Sequence, residues 1–248
     1  MKKATLFTVP ASHPSRGAEL MLEHKGVPYR RIDLITAAHR GLLRVLGFPR
    51  GTVPALRLAG KRVQGSREIS AALDELVPER PLFPSDPDRR AAVVEAERWG
   101  DEIYQSVPRR IVWASLKRDR STVASYLEGA KLGIPVSVAA LTAPPIIQAA
   151  ARLNHATDGA IRQDLTDLPG LLDHVDGLLA AGVIGGSELN AADFQIGTST
   201  ALLATMADLQ PLLAGRPALE HAHRVAPGYP GHLGRALPPA WLPAAKPV

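Results

Sequence analysis

The sequence predicts an α/β domain with the element order β-α-β-α-β-β-α, followed by an all-helical domain. In the first 78 residues, short strand-like runs alternate with segments whose apolar residues recur at helical spacing. Four prolines fall within 78–87, and such a segment is typically stiff and extended. Beyond it, helical patterns continue without a convincing strand. We therefore expect domains at 1–78 and 88–248, joined by a linker at 79–87.

The first domain should be built around a mixed sheet. Strands are expected at 4–9, 29–34, 54–58 and 62–64, and helices at 15–25, 37–46 and 66–76. The first two strands should be parallel, because the helix between them makes a right-handed crossover. The last two should form a hairpin, because only a short turn around Gly60 separates them.

The second domain should consist of helices. They are expected at 88–106, with a kink or end at Pro108 and a continuation to 116, and at 168–181, 190–209 and 217–225. The run 133–151 carries no charge, which is compatible with a membrane span. Three prolines and several small or hydroxyl residues favour instead a buried core helix with a broken start. The tail from Pro227 should wrap or fray, with Trp241 as an anchor.

Composition excludes several classes of chemistry. The 248 residues include no cysteine, so a disulfide, a thiolate nucleophile of the protein's own and a cysteine-ligated metal site are excluded. The start of the chain runs directly into a strand pattern without an apolar signal segment. We expect a cytoplasmic protein without a metal.

The charge pattern gives a weaker indication. The net charge is +5, and it comes largely from scattered arginines. A solvated basic surface explains it, and attraction of small anions is the sharper alternative. Aromatic residues that could stack on bases are few. Neither nucleic acid nor a membrane is an expected partner.

One stretch organises the predicted site, namely 48–56, with the sequence FPRGTVPAL. The Val53-Pro54 bond is a candidate cis peptide. Proline at the start of a strand leaves an edge without a ladder donor, so Val53 could pair with an extended peptide. Close by, Ser66 and Arg67 open a helix whose N-terminus favours a carboxylate. Together these features predict a site for a small acidic peptide.

Three motifs of this chain resemble those of the cytosolic glutathione transferases. Residues 48–56 resemble the family's Asn-Pro-x-Gly-x-Val-Pro-x-Leu stretch, with Phe48 in place of Asn. Residues 65–69 resemble its (Glu/Gln)-Ser-x-x-Ile motif, with Gly65 in place of the acidic or amide residue. Residues 189–194 resemble its Ser/Thr-x-x-Asp helix start, with Asn190 as the N-cap and Asp193 as its partner.

The resemblance covers nearly the whole chain and implies a thioredoxin-like first domain followed by the family's helical domain. It implies an enzyme of the Ser type that binds glutathione as co-substrate and activates its thiol for attack on a small apolar electrophile. This is the transfer of alkyl or aryl groups associated with detoxification. It also implies a homodimer. Two alternatives stay open: a non-catalytic binding or interaction protein of the same fold, and an enzyme that uses another low-molecular-weight thiol.

The resemblance also assigns candidate roles. Ser12, just before the first helix, is the first choice for the hydrogen bond to the thiolate. Ser15 is the second choice, with capping of that helix as its alternative role. His13 is expected to be an exposed loop residue. The proposed peptide contacts are Val53 and Pro54 for the cysteinyl part, Ser66 and Arg67 for the γ-glutamyl carboxylate, and His39, Arg40, Arg44 or Arg50 for the glycyl carboxylate.

Overall fold

The first part of the chain forms one mixed sheet in this computed structural model, which describes residues 4–36 and 38–243. The strands are β1 (Ala4–Thr8), β2 (Tyr29–Asp33), β3 (Ala55–Leu58) and β4 (Lys61–Gln64). Their order in the sheet is β2-β1-β3-β4. β1 and β2 are parallel, whereas β3 is antiparallel to both β1 and β4. The predicted parallel pair and the predicted hairpin are both confirmed.

Three helices accompany the sheet: α1 (His13–His24), α2 (His39–Val45) and α3 (Ser66–Leu76). Two predicted caps were wrong. Ser12, not Ser15, caps α1, because the Ser15 backbone N–H donates to Ser12 Oγ at 3.4 Å. Gly65 caps α3, with φ near 107°, a conformation that glycine adopts without strain. Ser66 is therefore the first helical residue. The expected first residue of α2, Ala37, lies outside the described residues.

In the rest of the described chain, helices joined by loops are the regular elements, apart from an isolated bridge between Met206 and Leu233. The helices are α4 (Pro87–Trp99), α5 (Ser106–Arg118), α6 (Val136–Leu141), α7 (Ala143–Leu153), α8 (Asp158–Ala180), α9 (Ala191–Ala204), α10 (Gln210–Leu213) and α11 (Pro217–Val225). Helix α9 is buried along nearly its whole length and packs against α1, α4, α5 and α11. It thus joins the sheet layer to the helical part. The predicted capping box of Asn190 and Asp193 is confirmed.

The irregularity expected at Pro108 occurs earlier in the chain. A π-helical segment, Gly100–Tyr104, joins α4 to α5, and Pro108 lies in the first turn of α5. Helix α9 passes very close at this point, since a Cβ on Gly100 would lie 2.9 Å from the Gln195 side chain. Proline cannot donate a helical hydrogen bond, and a widened turn just before it accommodates that loss.

The proline-rich segment is more firmly attached than a simple linker. Leu82 and Phe83 are buried, and the Leu82 N–H donates to Asp74 Oδ1 at 2.7 Å. Lys25 Nζ donates to the Val77 carbonyl at 2.7 Å. Pro87, expected as the end of the linker, is the first residue of α4. The domain limits at 78 and 88 stay predictions.

The uncharged run 133–151 is not one buried helix, as predicted, but two short ones. The prolines at 144 and 145 lie in the first turn of α7, where proline favours a new helix start. Only one face is buried, and Leu141 is 80% exposed. No helix within 4–36 and 38–243 is long and apolar enough to cross a membrane.

Two further segments differ in detail from expectation. Helix α8 begins ten residues before the predicted 168, with Thr157 as its N-cap, and continues through Pro169. The predicted anchor in the tail is confirmed, because the guanidinium carbons of Arg118 and Arg162 lie 4.8 and 5.4 Å from the centre of the Trp241 ring.

Candidate functional site

A cavity of about 1080 Å³ lies between the sheet layer and the helical part. Most of the predicted site residues line it, namely Ser12, His39, Arg50, Val53, Pro54, Ser66 and Arg67, together with the alternative Arg40. They come from the loop before α1, the α2 region, the loop before β3 and the start of α3. Ser15 and Arg44 are not among the residues that line it.

Ser12 is held by an unusual loop. The preceding residue, Ala11, has φ near 51°, a left-handed conformation that costs a non-glycine residue about 1–2 kcal/mol. Tyr229, from the C-terminal tail, donates a hydrogen bond to the Ala11 carbonyl at 2.7 Å. The tail therefore fixes the loop that presents Ser12 to the cavity, a contact that local sequence patterns could not indicate.

The Val53-Pro54 bond is cis, as predicted. Gln64 holds the loop just before it, since Nε2 donates to the Thr52 carbonyl at 2.8 Å and Oε1 accepts from the Arg50 N–H at 2.8 Å. Within the described residues, the Val53 N–H and C=O have no hydrogen-bond partner. A free donor and acceptor at the cavity wall suit an extended peptide.

The start of α3 is surrounded by acidic groups. Ser66 is buried, and its Oγ donates to Asp101 Oδ1 at 3.3 Å. Glu68 folds back over Gly65, where a Cβ would clash with Glu68 Oε2. The Glu68 carboxylate therefore occupies the space that a side chain at position 65 would fill. The departure from the family motif at Gly65 was the signal that a neighbouring acid could take this place.

The candidate cations differ in their partners. Arg50 donates to Glu68, and Arg67 donates to Glu102 Oε1 at 2.8 Å. Among the described residues, no carboxylate lies within 4 Å of the side-chain nitrogens of His39 or Arg40. Arg40 is thus a cavity cation of the α2 region whose charge is not already compensated in this part of the chain. His39 differs, because burial lowers its pKa and favours the neutral imidazole.

Ser15 lies away from the cavity and is only 1% exposed. Its Oγ has no hydrogen-bond partner among the described residues, and a buried unpaired hydroxyl is unfavourable. Replacing it by alanine is expected to raise the free energy of unfolding by about 0.5–1 kcal/mol. Urea denaturation measures this.

The matched control for this prediction is Ser125→Ala. Ser125 Oγ donates to the Thr122 carbonyl at 2.6 Å and accepts from the His232 N–H at 3.0 Å. We expect this variant to lose about 1–2 kcal/mol. A loss of stability in Ser15→Ala would mean that its hydroxyl has a partner in solution.

His13 is buried, not exposed as expected. It is the first residue of α1, and its Nε2 donates to the Gln105 carbonyl at 3.2 Å. Burial, reinforced by the positive charge of Arg109, holds the pKa of His13 well below its usual range. The neutral imidazole thus links the N-terminus of α1 to the segment between α4 and α5.

Glu97 is a second buried titratable group of the cavity wall. Its Oε1 accepts from Ser70 Oγ at 2.6 Å, which joins α3 to α4. Burial raises the pKa of Glu97 to about 7, although Ser70 and Arg67 act in the opposite direction. Sequence patterns do not indicate this burial, because Glu97 lies in a highly charged helix of the kind that is usually exposed to solvent.

Glu97 should make stability depend on pH. In the unfolded chain, the carboxyl titrates near its ordinary value of 4.5, and in the folded chain near 7. Its stabilising contribution is therefore complete below pH 4.5 and is lost as the pH rises to 7. Glu97→Gln should remove this slope and be more stable than the parent at pH 8, by an amount on the order of 2 kcal/mol.

The control for this titration is Glu79→Gln, at an exposed glutamate whose side chain has no hydrogen-bond or ion-pair partner among the described residues. Thermal unfolding of the three proteins between pH 4 and pH 8 would make the comparison. Parallel curves for the parent and Glu97→Gln would show that Glu97 has the same pKa in the folded and the unfolded chain.

The far end of the cavity is apolar. Its wall is formed by α5, α6 and α7, and the lining residues from Val112 onward carry no charge. The segment 120–165, which none of the family motifs covers, supplies much of this wall. Within the described residues, no group of three or more His, Cys, Asp or Glu side chains could hold a metal ion.

Comparison with known proteins decides the fold family. Residues 6–81 match the family model described as glutathione S-transferase, N-terminal domain. The chain has the glutathione transferase fold. Comparison with curated proteins returned no match.

Solved structures support the glutathione transferase fold over most of the chain. A glutathione S-transferase from Sinorhizobium meliloti 1021 is 18% identical, with a TM-score of 0.60 over 92% of this chain and 90% of that one. Glutathione transferase F2 from Populus trichocarpa is 18% identical, with a TM-score of 0.59 over 89% and 91%. A glutathione S-transferase-I bound with lactoylglutathione is 16% identical, with a TM-score of 0.58 over 90% and 99%.

Proposed function

We propose that this protein is a glutathione transferase-like enzyme that binds glutathione in the cavity and activates its thiol for attack on a small apolar electrophile. The observation that carries the proposal is a convergence of three features on one cavity. Ser12 at the start of α1, the unpaired backbone of Val53 and the N-terminus of α3 all line it. The lactoylglutathione bound to the structural neighbour supports the choice of thiol.

Ser12 has a geometry suited to stabilising a thiolate. Its Oγ accepts the Ser15 N–H, which leaves the hydroxyl proton free to donate to an anion in the cavity. The partial positive charge at the start of α1 favours the same anion. We assign Ser12 as the donor that keeps the sulfur ionised, so that the thiolate attacks the electrophile and the leaving group departs from it.

The remaining contacts follow from the described partners. The Val53 N–H and C=O would pair with the cysteinyl backbone next to Pro54. The first N–H groups of α3, with Ser66 and Arg67, would hold the γ-glutamyl carboxylate. The Glu68 carboxylate, in the space above Gly65, would receive the γ-glutamyl ammonium.

The glycyl carboxylate needs a cation from the α2 region. Arg40 suits it better than Arg50, because Arg50 already pairs with Glu68. Arg40 also suits it better than His39, because burial lowers the pKa of His39. Arg40 packs against Gly51, where a Cβ would lie 3.1 Å from its side chain. It therefore lies beside the loop that carries Val53.

Calorimetric titration with glutathione tests the proposal. We expect saturable binding at micromolar to millimolar concentration, and weaker binding of cysteine and of γ-glutamylcysteine, which lack parts of the tripeptide. Absence of binding at millimolar glutathione would overturn the proposal, and stronger binding of another thiol would replace glutathione as the co-substrate. Binding without an increase in the thiolate fraction would favour a non-catalytic binding protein.

The homodimer is likewise proposed from the resemblance to the family. Light scattering at micromolar concentration should give a mass near twice the 26.4 kDa of the chain. A mass near that of one chain would contradict it.

A further inference from the structure

Arg109 is a cavity residue that the proposed chemistry does not use. It lies in α5 and lines the cavity. A guanidinium has five N–H donors, and among the described residues Arg109 makes one hydrogen bond, to Gln105 Oε1. It forms no ion pair with a carboxylate within 4 Å in that part of the chain. Burial lowers the pKa of Arg109, against the attraction of Asp101.

Its neighbours do not satisfy this charge. The charge of Asp101 acts on Arg109, but Asp101 Oδ1 already accepts from Ser66 and from Gln105 Nε2, at 3.3 and 2.8 Å. Arg110, next along the chain, pairs with Asp164 Oδ2 at 2.7 Å. A cation that is largely removed from water and has unused donors favours an anion from outside the protein.

The direction of α5 defines the rest of the ligand. Val112, Trp113 and Leu116 follow Arg109 at spacings of three, four and seven residues, which places all four on one helix face. All four line the cavity. Helix α7 lines the same cavity with Ile146 and Ala150, and α5 packs against α7. The wall thus begins with one positive charge and continues as an apolar surface.

We propose that the second ligand of this cavity is an apolar molecule that carries one oxyanion group, a carboxylate or a sulfonate, held by Arg109. Its apolar body lies along the face formed by Val112, Trp113 and Leu116. The anion receives two N–H groups of the guanidinium in a bidentate arrangement. This proposal rests on the proposed function only in identifying that ligand as the acceptor of the thiol, since its binding requires no glutathione.

A matched pair of fluorescent probes tests the proposal without glutathione. Anilinonaphthalene sulfonate carries the oxyanion, and phenylnaphthylamine has the same aromatic body without it. The parent protein should bind the sulfonate more tightly. Arg109→Gln should weaken the binding of the sulfonate by about 10-fold or more and change the affinity for the neutral probe by no more than about twofold. Arg109→Lys should bind the sulfonate with an affinity between those of the parent and Arg109→Gln, because lysine keeps the charge without the planar guanidinium.

The control is Arg152→Gln, which removes the same charge from the exposed side of α7, away from the cavity lining. We expect it to bind both probes as the parent does. Equal weakening of both probes by Arg109→Gln, or of neither, overturns the proposal. The proposal is also overturned if the parent protein binds the neutral probe more tightly than the sulfonate. This comparison does not depend on the folding of any variant.

Arg109 could instead serve the thiolate, and a further measurement separates this outcome. If Arg109→Gln lowers the thiolate fraction of bound glutathione and leaves the ratio of the two probe affinities unchanged, the proposal is overturned in favour of that role. If glutathione does not bind at all but the probes behave as expected, the proposed function fails and the anion site stands.

Discussion

Replacing Ser12 by glycine is expected to lower the thiolate fraction of bound glutathione at pH 7 by about 10- to 100-fold. A hydrogen bond to a charged group contributes about 1.5–3 kcal/mol. Each 1.36 kcal/mol changes the pKa of the thiol by one unit. Turnover with an activated aryl halide should fall by a similar factor at neutral pH. The ultraviolet absorbance of the thiolate, followed against pH, measures the effect directly.

Glycine is preferred to alanine here because Ser12 also caps α1. Glycine at an N-cap costs only a few tenths of a kcal/mol, whereas alanine costs about 1 kcal/mol. The matched control is Thr157→Gly, which removes the capping hydroxyl of α8, 3.2 Å from the Ala160 N–H and away from the cavity. If both variants keep the parent's thiolate fraction, Ser12 is a structural cap and not the donor to the sulfur.

The largest expected effect on stability is that of Asp193→Ala. Asp193 is completely buried and accepts from the Gly185 N–H at 2.7 Å, the Asn190 N–H at 2.8 Å and His221 Nε2 at 2.6 Å. Removing the carboxylate leaves one buried donor, on His221, and two part-buried backbone donors without an acceptor. Loss of one member of such a buried cluster costs about 3–5 kcal/mol, which is a large part of the stability of a typical domain.

Denaturant unfolding, with Asp86→Ala as the control, measures this effect. Asp86 caps α4 with a single hydrogen bond to the Arg89 N–H at 2.9 Å in an exposed position, so its loss should cost about 1 kcal/mol. Asp193→Asn keeps one acceptor, so its loss of stability should lie between those of Asp193→Ala and Asp86→Ala. Equal costs for Asp193→Ala and Asp86→Ala would show that the cluster contributes no more than an ordinary cap.

The sequence predicted the parts of the fold whose signals are local. Strand and helix order, the cis Val53-Pro54 bond and the Asn190–Asp193 capping box each depend on a few neighbouring residues. The convergence of Ser12, Val53 and Ser66 on one cavity follows from the element order. The β-α-β-α-β-β-α order brings the loops that carry them to one edge of the sheet. The functional roles of these residues stay proposals.

What sequence reasoning missed depends on contacts between distant segments. Glu97 and Arg109 lie in charged helices that look solvated. Glu97 is buried where α4 meets α3, whose Ser70 donates to it, and Arg109 lines the cavity. Tyr229 reaches Ala11 across 218 residues of sequence. One missed signal was local: proline is tolerated in the first turn of a helix. Pro14 therefore allows α1 to begin before Ser15, which makes Ser12 a candidate cap.

A crystal structure of the glutathione complex tests the central claim most directly. The account predicts the sulfur at hydrogen-bonding distance from Ser12 Oγ, the cysteinyl backbone paired with the Val53 N–H and C=O, and the γ-glutamyl carboxylate at the first N–H groups of α3. Glutathione bound elsewhere, or a cavity that stays empty at saturating glutathione, would contradict it.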